Sequence, residues 1–182
     1  HFGNYAVVEA NGKPAGINLL DYGCIRIFPP SFVGGVVDLY NGLRHNDEER
    51  VVHAYETWGF KKLKREVIDI LNIWARFIYG PLMEDRVRSI ADGVKPGEYG
   101  RKEAFKVHQA LREKGPVKVP REFVLMDRAA IGLGGVFLHL RAELNFHRLF
   151  EDAMEEFSVK RVAERQAKAL KSVGLDPAAC KN

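Results

Sequence analysis

Two adjacent prolines, Pro29-Pro30, divide the chain between two hydrophobic periods. Ahead of them, apolar residues come in short runs that suit strands, Tyr5-Ala6-Val7-Val8 and Ile17-Asn18-Leu19-Leu20. Asn11-Gly12 lies between the runs, with Pro14 and Gly16 close by, and predicts a β-hairpin with a longish loop. Beyond the prolines, apolar residues recur at the three- and four-residue spacing of helices. A chain with this order of periods folds as a mainly α-helical unit carrying a short N-terminal hairpin.

Local punctuation divides the helical part. Ser31 is read as the N-cap of a helix carrying Phe32, Val36, Leu39, Tyr40 and Leu43. Asn46 or Asp47 caps the next, with Val51, Val52, Tyr55 and Trp58 inward and Gly59 at its end. A third stripe runs from Leu63 to Tyr79, through Val67, Ile70, Leu71, Trp74, Phe77 and Ile78, and Gly80-Pro81 stops it. Residues 92–100 read as a loop, 101–111 as a helix, and Gly115-Pro116 as its break. Pro120 opens a long helical region to about Phe157, in which Gly132, Gly134 and Gly135 predict a bend or a close helix crossing. Val159 to Val173 is a final polar helix.

The 182 residues suffice for one domain and are too few for two ordinary ones. A net charge of +4 is far from the balance of a dedicated nucleic-acid binder, and no basic stripe interleaved with aromatics is present, so nucleic acid is not an expected partner. Cys24 and Cys180 cannot build a disulfide framework or a four-ligand zinc knot, and a reducing compartment fits them. The longest stretch without Asp, Glu, Lys or Arg, Ala129 to Leu140, falls well short of a membrane span.

The chemistry concentrates at the beginning. Kinase-type phosphoryl transfer uses Mg²⁺, a hard cation that takes oxygen ligands. Kinases supply an Asn amide oxygen and an Asp-Phe-Gly carboxylate from two points joined by a hairpin. Here Asn4 and Asp21 flank the hairpin, Tyr22 stands in the Phe slot, and Gly23 permits a sharp turn. On local chemistry alone, an Asp ahead of a Gly is more often a plain turn, and the hairpin of suitable length brings the kinase reading level with it.

The wider wording is more specific. His1-Phe2-Gly3-Asn4 resembles the end of the catalytic loop of the UbiB/AarF family of atypical, protein-kinase-like proteins. Ile17 to Phe28 resembles that family's metal-binding turn, and Arg121 to Phe150 is similar to the helical C-terminal part of its bacterial members. The resemblance runs from His1 to about Phe157. It implies a kinase-like C-lobe over residues 1–157, with the hairpin over 4–23 and helices over 31–157, followed by a polar helix and tail over 158–182. It implies Asn4 and Asp21 as Mg²⁺ ligands in an ATP-using kinase or ATPase. It places the catalytic Asp two residues before His1, and the N-lobe with its nucleotide-contacting Lys and Glu ahead of this sequence, so the chain holds no catalytic residue of its own. The expectation is a C-lobe fragment, nearly inactive by itself, with apolar surface left open near the hairpin. No Ala-Pro-Glu follows Asp21 and no long activation loop fits before Pro29-Pro30, which the family shares and which favours small-molecule phosphorylation or ATP hydrolysis over protein substrates. The family's link to ubiquinone biosynthesis and isoprenoid lipid homeostasis brings in a lipid or quinone-precursor ligand and a cytoplasmic location, with peripheral contact to the bacterial inner membrane left open. The rival reading is a pseudokinase or helical scaffold that binds a lipid or a biosynthetic complex.

Other constellations read more plainly. His139, Glu143, His147 and Glu151 would form one stripe on a continuous helix; metal binding there lacks Glu-x-x-His and His-Glu-x-x-His spacing, and a polar face with Glu–His pairing is preferred. Lys61-Lys62-Leu63-Lys64-Arg65 is read as a solvated helix start, with anionic lipid head groups as the sharper alternative. Gly132-Leu133-Gly134-Gly135 lacks phosphate-loop spacing. Trp58 and Trp74 are read as core, and Arg26 either approaches a phosphate or braces the turn after Asp21.

Overall fold

The structure, a computed structural model, describes residues 2–23, 25–61, 63–92, 101, 105–107, 109–110 and 119–177. Both cysteines, the expected break at Gly115-Pro116, and the expected loop beyond Asp92 lie outside these residues. Of the expected helix over 101–111, residues 101, 105–107 and 109–110 are helical and the rest lie outside.

Strands β1 (Tyr5–Ala10) and β2 (Lys13–Leu19) form an antiparallel hairpin. Its loop is shorter than expected. Asn11 and Gly12 alone make the turn, both at positive φ (54° and 69°), the geometry that matches the twist of the flanking strands. Pro14 and Gly16 therefore belong to β2 and not to a loop. A bulge between them keeps Pro14 in a strand, where its missing N–H is tolerated.

Helices α1 (Pro30–His45), α2 (Glu48–Thr57) and α3 (Arg65–Tyr79) follow, with a 3-10 turn at Gly80–Leu82. Pro30, not Ser31, opens α1, where a fixed φ and an absent N–H cost nothing. Asp47 caps α2, its carboxylate accepting the Arg50 N–H at 3.0 Å. Asn46 ends α1 in the left-handed region.

Three aromatic-rich helices share one core. Leu39, Tyr40, Ala54, Tyr55 and Phe60 are completely buried. Phe28, Phe32, Trp58, Phe123 and Phe60 form a chain of ring contacts with centroids 5.0–5.4 Å apart. Trp58 donates its indole N–H to the Phe32 carbonyl at 2.9 Å. Glycines in α1 make room for this packing. A Cβ on Gly35 would sit 2.5 Å from Trp58 Nε1, and one on Gly42 would meet the Val51 side chain at 2.8 Å and its backbone N at 3.0 Å.

The helical region expected from Pro120 to about Phe157 is two helices, separated by a turn and a short strand. Helix α4 (Arg121–His139) runs without interruption through Gly132, Gly134 and Gly135. An added Cβ at Gly132 or Gly135 would meet nothing within 4 Å, so of the three glycines only Gly134, which is buried, is placed for the close approach expected there. The chain then turns through Arg141 at φ 52°. Strand β4 (Glu143–Leu144) pairs antiparallel with β3 (Arg88–Ser89), and α5 (Phe146–Met154) begins after Asn145, whose side chain accepts the Arg148 N–H. Helix α6 (Val159–Ser172) is capped by Ser158 and returns to α1. Gln166 donates to the Phe28 carbonyl at 2.9 Å, and Leu170 is buried.

Candidate functional site

The hairpin register decides which groups meet at its open end. Ala10 pairs with Lys13, but after the bulge Val8 pairs with Gly16 and Tyr5 with Leu19. Ala15 is the extra residue, and it advances β2 by one position relative to β1. Beyond the strands, Leu20 donates its N–H to the Asn4 carbonyl at 2.9 Å. Asn4, partly buried at the end of a 3-10 turn over Phe2–Asn4, thus sits opposite Leu20, and Asp21 is the next residue. Without the bulge, Asn4 would face Leu19, and the two candidate ligands would be a residue further apart.

Asp21 is exposed. Its Oδ1 accepts the Gly23 N–H at 2.9 Å, which fixes the carboxylate in a turn and leaves its second oxygen for solvent or a cation. A Cβ on Gly23 would stand 3.2 Å from that Oδ1, so the turn is tight but not closed to a side chain. Tyr22 is exposed. Two oxygen donors at one end of a hairpin fit Mg²⁺, which keeps several waters and binds through one or two carboxylates plus phosphates. No group of three or more His, Cys, Asp or Glu poised for a metal occurs among the described residues.

The segment after Asp21 is anchored. Arg26 pairs with Glu122 at the start of α4. Of its two readings, bracing is the contact the structure contains. The backbone N–H of Glu122 and the Arg26 guanidinium together hold that carboxyl below the usual carboxylate range.

The hairpin carries an unusual surface. Tyr5, Val7, Ile17 and Leu19 share one face, and all four are exposed, Val7 and Ile17 at 64% and 67%. Leu20, Ile25 and Ile27 continue the apolar exposure toward α1. Exposed apolar patches of this kind promote association, with partners or between copies. Replacing Val7 and Ile17 together by Thr is expected to leave the urea midpoint nearly unchanged, within about 0.5 kcal/mol, while lowering self-association in light scattering. Unchanged scattering would show that the patch is not what drives association.

The His–Glu stripe does not exist as a stripe. His139 ends α4, Glu143 lies in β4, and His147 and Glu151 lie on α5. The last two join a different cluster. His147 Nδ1 donates to the Leu82 carbonyl at 2.7 Å, and Glu151 Oε1 accepts from the Tyr40 hydroxyl and from Arg44, each at 2.5 Å. These bonds pin α5 to α1 and to the 3-10 turn that follows α3. Sequence reading missed Tyr40 and Arg44 as polar partners because both sit on an otherwise apolar helix period.

In the basic run, Lys61 and Lys64 are exposed, Arg65 pairs with Glu48 and Asp69, and Lys62 lies outside the described residues. Among the described residues no helix is long and apolar enough to cross a membrane. Comparison with family models, curated proteins and solved structures finds no match to this chain.

Proposed function

We propose that this chain is the metal-holding, C-lobe-like part of a Mg-ATP-dependent atypical kinase or ATPase of the UbiB/AarF kind. The observation that carries the reading is the placement of Asn4 opposite Leu20, the residue before Asp21, at the open end of one bulged hairpin. When bound, Mg²⁺ would bridge nucleotide phosphates and offset their charge. The Asn4 amide oxygen and the free Asp21 oxygen would hold it. The Asp21–Gly23 turn orients that carboxylate before any ligand arrives, and the Arg26–Glu122 pair holds the following segment against α4. The exposed Tyr5-Val7-Ile17-Leu19 face suits a hairpin that covers part of a nucleotide site or packs against a further lobe.

The substrate side of the proposal is a small molecule, with a lipid or quinone precursor as the candidate acceptor. The test separates metal holding from fold. Mn²⁺ with ATP, followed by electron paramagnetic resonance, is expected to bind the chain weakly and saturably. Asp21→Ala is expected to weaken that binding about tenfold or more, equivalent to about 1.4 kcal/mol, without shifting the thermal melt. Equal Mn-ATP binding by wild type and Asp21→Ala would refute the ligand assignment and leave a non-catalytic scaffold as the better reading.

A further inference from the structure

Helices α2 and α3 frame an open groove of about 430 Å³ that has no part in the site above. Two side-chain bridges join the two helices. Arg65 meets both Glu48 carboxylate oxygens at 2.5 and 2.7 Å, and Tyr55 donates its hydroxyl to Asn72 Oδ1 at 2.9 Å. Both bridges join residues 17 apart in sequence, so the two helices run in the same direction in one register. The α2 wall carries Glu49, Val52 and Glu56, and the α3 wall carries Ile68, Asn72 and Arg76. One wall is acidic, the other basic, and the middle is apolar.

At the Glu48 end the opposite charges meet. At the other end they do not. Neither Arg76 nor Glu56 has an ion-pair partner among the described residues. The register sets the two residues apart along the helix axis. The 17-residue offset sets Arg76 against position 59, where α2 has already ended at Thr57. Glu56 falls three residues short of that level, about 4.5 Å along a helix axis. Arg76 and Asn72 stand one turn apart on α3, and the Tyr55 bond fixes the Asn72 amide with its oxygen occupied and its N–H₂ free to donate. A guanidinium beside an amide N–H₂ makes a fork for a carboxylate. The displaced Glu56, with Glu49 on the same wall, offers the counter-charge for an ammonium.

We propose that this groove binds a small zwitterion with an apolar body, of the α-amino-acid class. Its carboxylate lies on Arg76 and Asn72, its ammonium on Glu56, and its side chain on Val52 and Ile68. The ligand thereby closes the gap that the register leaves between Arg76 and Glu56. The volume is ample for a molecule of that size.

L-Leucine is the probe, measured by isothermal titration against the whole chain. Saturable binding in the millimolar range is expected, as suits rim charges in contact with water. Leucinamide, which lacks the carboxylate, and 4-methylpentanoate, which lacks the ammonium, are each expected to bind at least about tenfold more weakly. Arg76→Gln and Glu56→Gln are expected to give the same loss for L-leucine, and both positions are exposed, so their melts should match the wild type. Absence of saturable L-leucine binding would overturn the proposal. Binding that survives Arg76→Gln, or that leucinamide and 4-methylpentanoate reproduce at full strength, would overturn it equally.

Discussion

Gly35→Ala is expected to destabilise the protein by about 2–4 kcal/mol, although the same change at most exposed helix positions is favourable. The new Cβ would lie 2.5 Å from Trp58 Nε1 and 2.9 Å from its Cδ1. Trp58 cannot step aside. It is buried, stacked on Phe32 at 5.4 Å, and packed against Phe123 at 5.4 Å. Displacing the indole also breaks its bond to the Phe32 carbonyl, leaving a buried N–H unmatched at a cost of about 1–3 kcal/mol. Overpacking adds about 1–3 kcal/mol, and the gain in helix propensity returns about 1 kcal/mol. Gly132→Ala provides the opposite sign. There an added Cβ meets nothing, so the propensity gain stands alone at about 0.5–1 kcal/mol. Urea unfolding of both variants would show midpoints moving in opposite directions at constant slope. Midpoints that move together would mean that Trp58 does not pack on Gly35.

These two glycines also show what sequence can and cannot reveal. Gly132, Gly134 and Gly135 attract attention because they cluster, yet Gly132 and Gly135 face open space. Gly35 and Gly42 fill closer contacts, but nothing adjacent in sequence shows it; their partners, Trp58 and Val51, arrive from α2 and the turn after it. The hairpin was legible because Asn11-Gly12 is a local signal, and the placement of Asn4 and Asp21 at its open end follows from it. The bulge at Ala15, which sets the final register, was not legible, since its place depends on accommodating Pro14 within the strand. The break between α4 and α5 escaped for a related reason. Apolar spacing continues through Phe137, Leu138, Leu140, Leu144 and Phe146 with no Gly or Pro to mark a stop. The chain stops by placing Arg141 in the left-handed region, and the Ala142 N–H reaches back to the Phe137 carbonyl at 3.0 Å. Arginine is a costly residue for that conformation, by about 1–2 kcal/mol, so no propensity argument points to it.

Alkaline pH is expected to unfold the protein cooperatively, because three tyrosines among the described residues are buried with their hydroxyls donating. Tyr55 donates to Asn72, Tyr79 to the Val36 carbonyl at 3.2 Å, and Tyr40 to Glu151. Burial, reinforced by the bond to Glu151 and opposed by nearby Arg44, pushes the Tyr40 hydroxyl up to about 12. Burial also raises Tyr55 and Tyr79. A phenol raised in the folded state keeps its proton there after the unfolded chain has lost it. Its contribution is therefore fully present below the unfolded value of about 10 and is lost as pH climbs toward the folded value. Each such phenol adds up to about 1.4 kcal/mol of lost stability per pH unit in that window. Three acting together can exhaust the stability of a domain of ordinary marginal size, about 5–15 kcal/mol. Tyrosinate absorbance from these residues should then appear with the loss of helical circular dichroism, not before it. Tyr79→Phe removes one of the three and should flatten the fall of the urea midpoint between about pH 10 and 12. If all six phenols ionise while the helical signal is intact, the buried tyrosines are not held neutral by the fold, and the core built around Tyr40, Tyr55 and Tyr79 is looser than their contacts require.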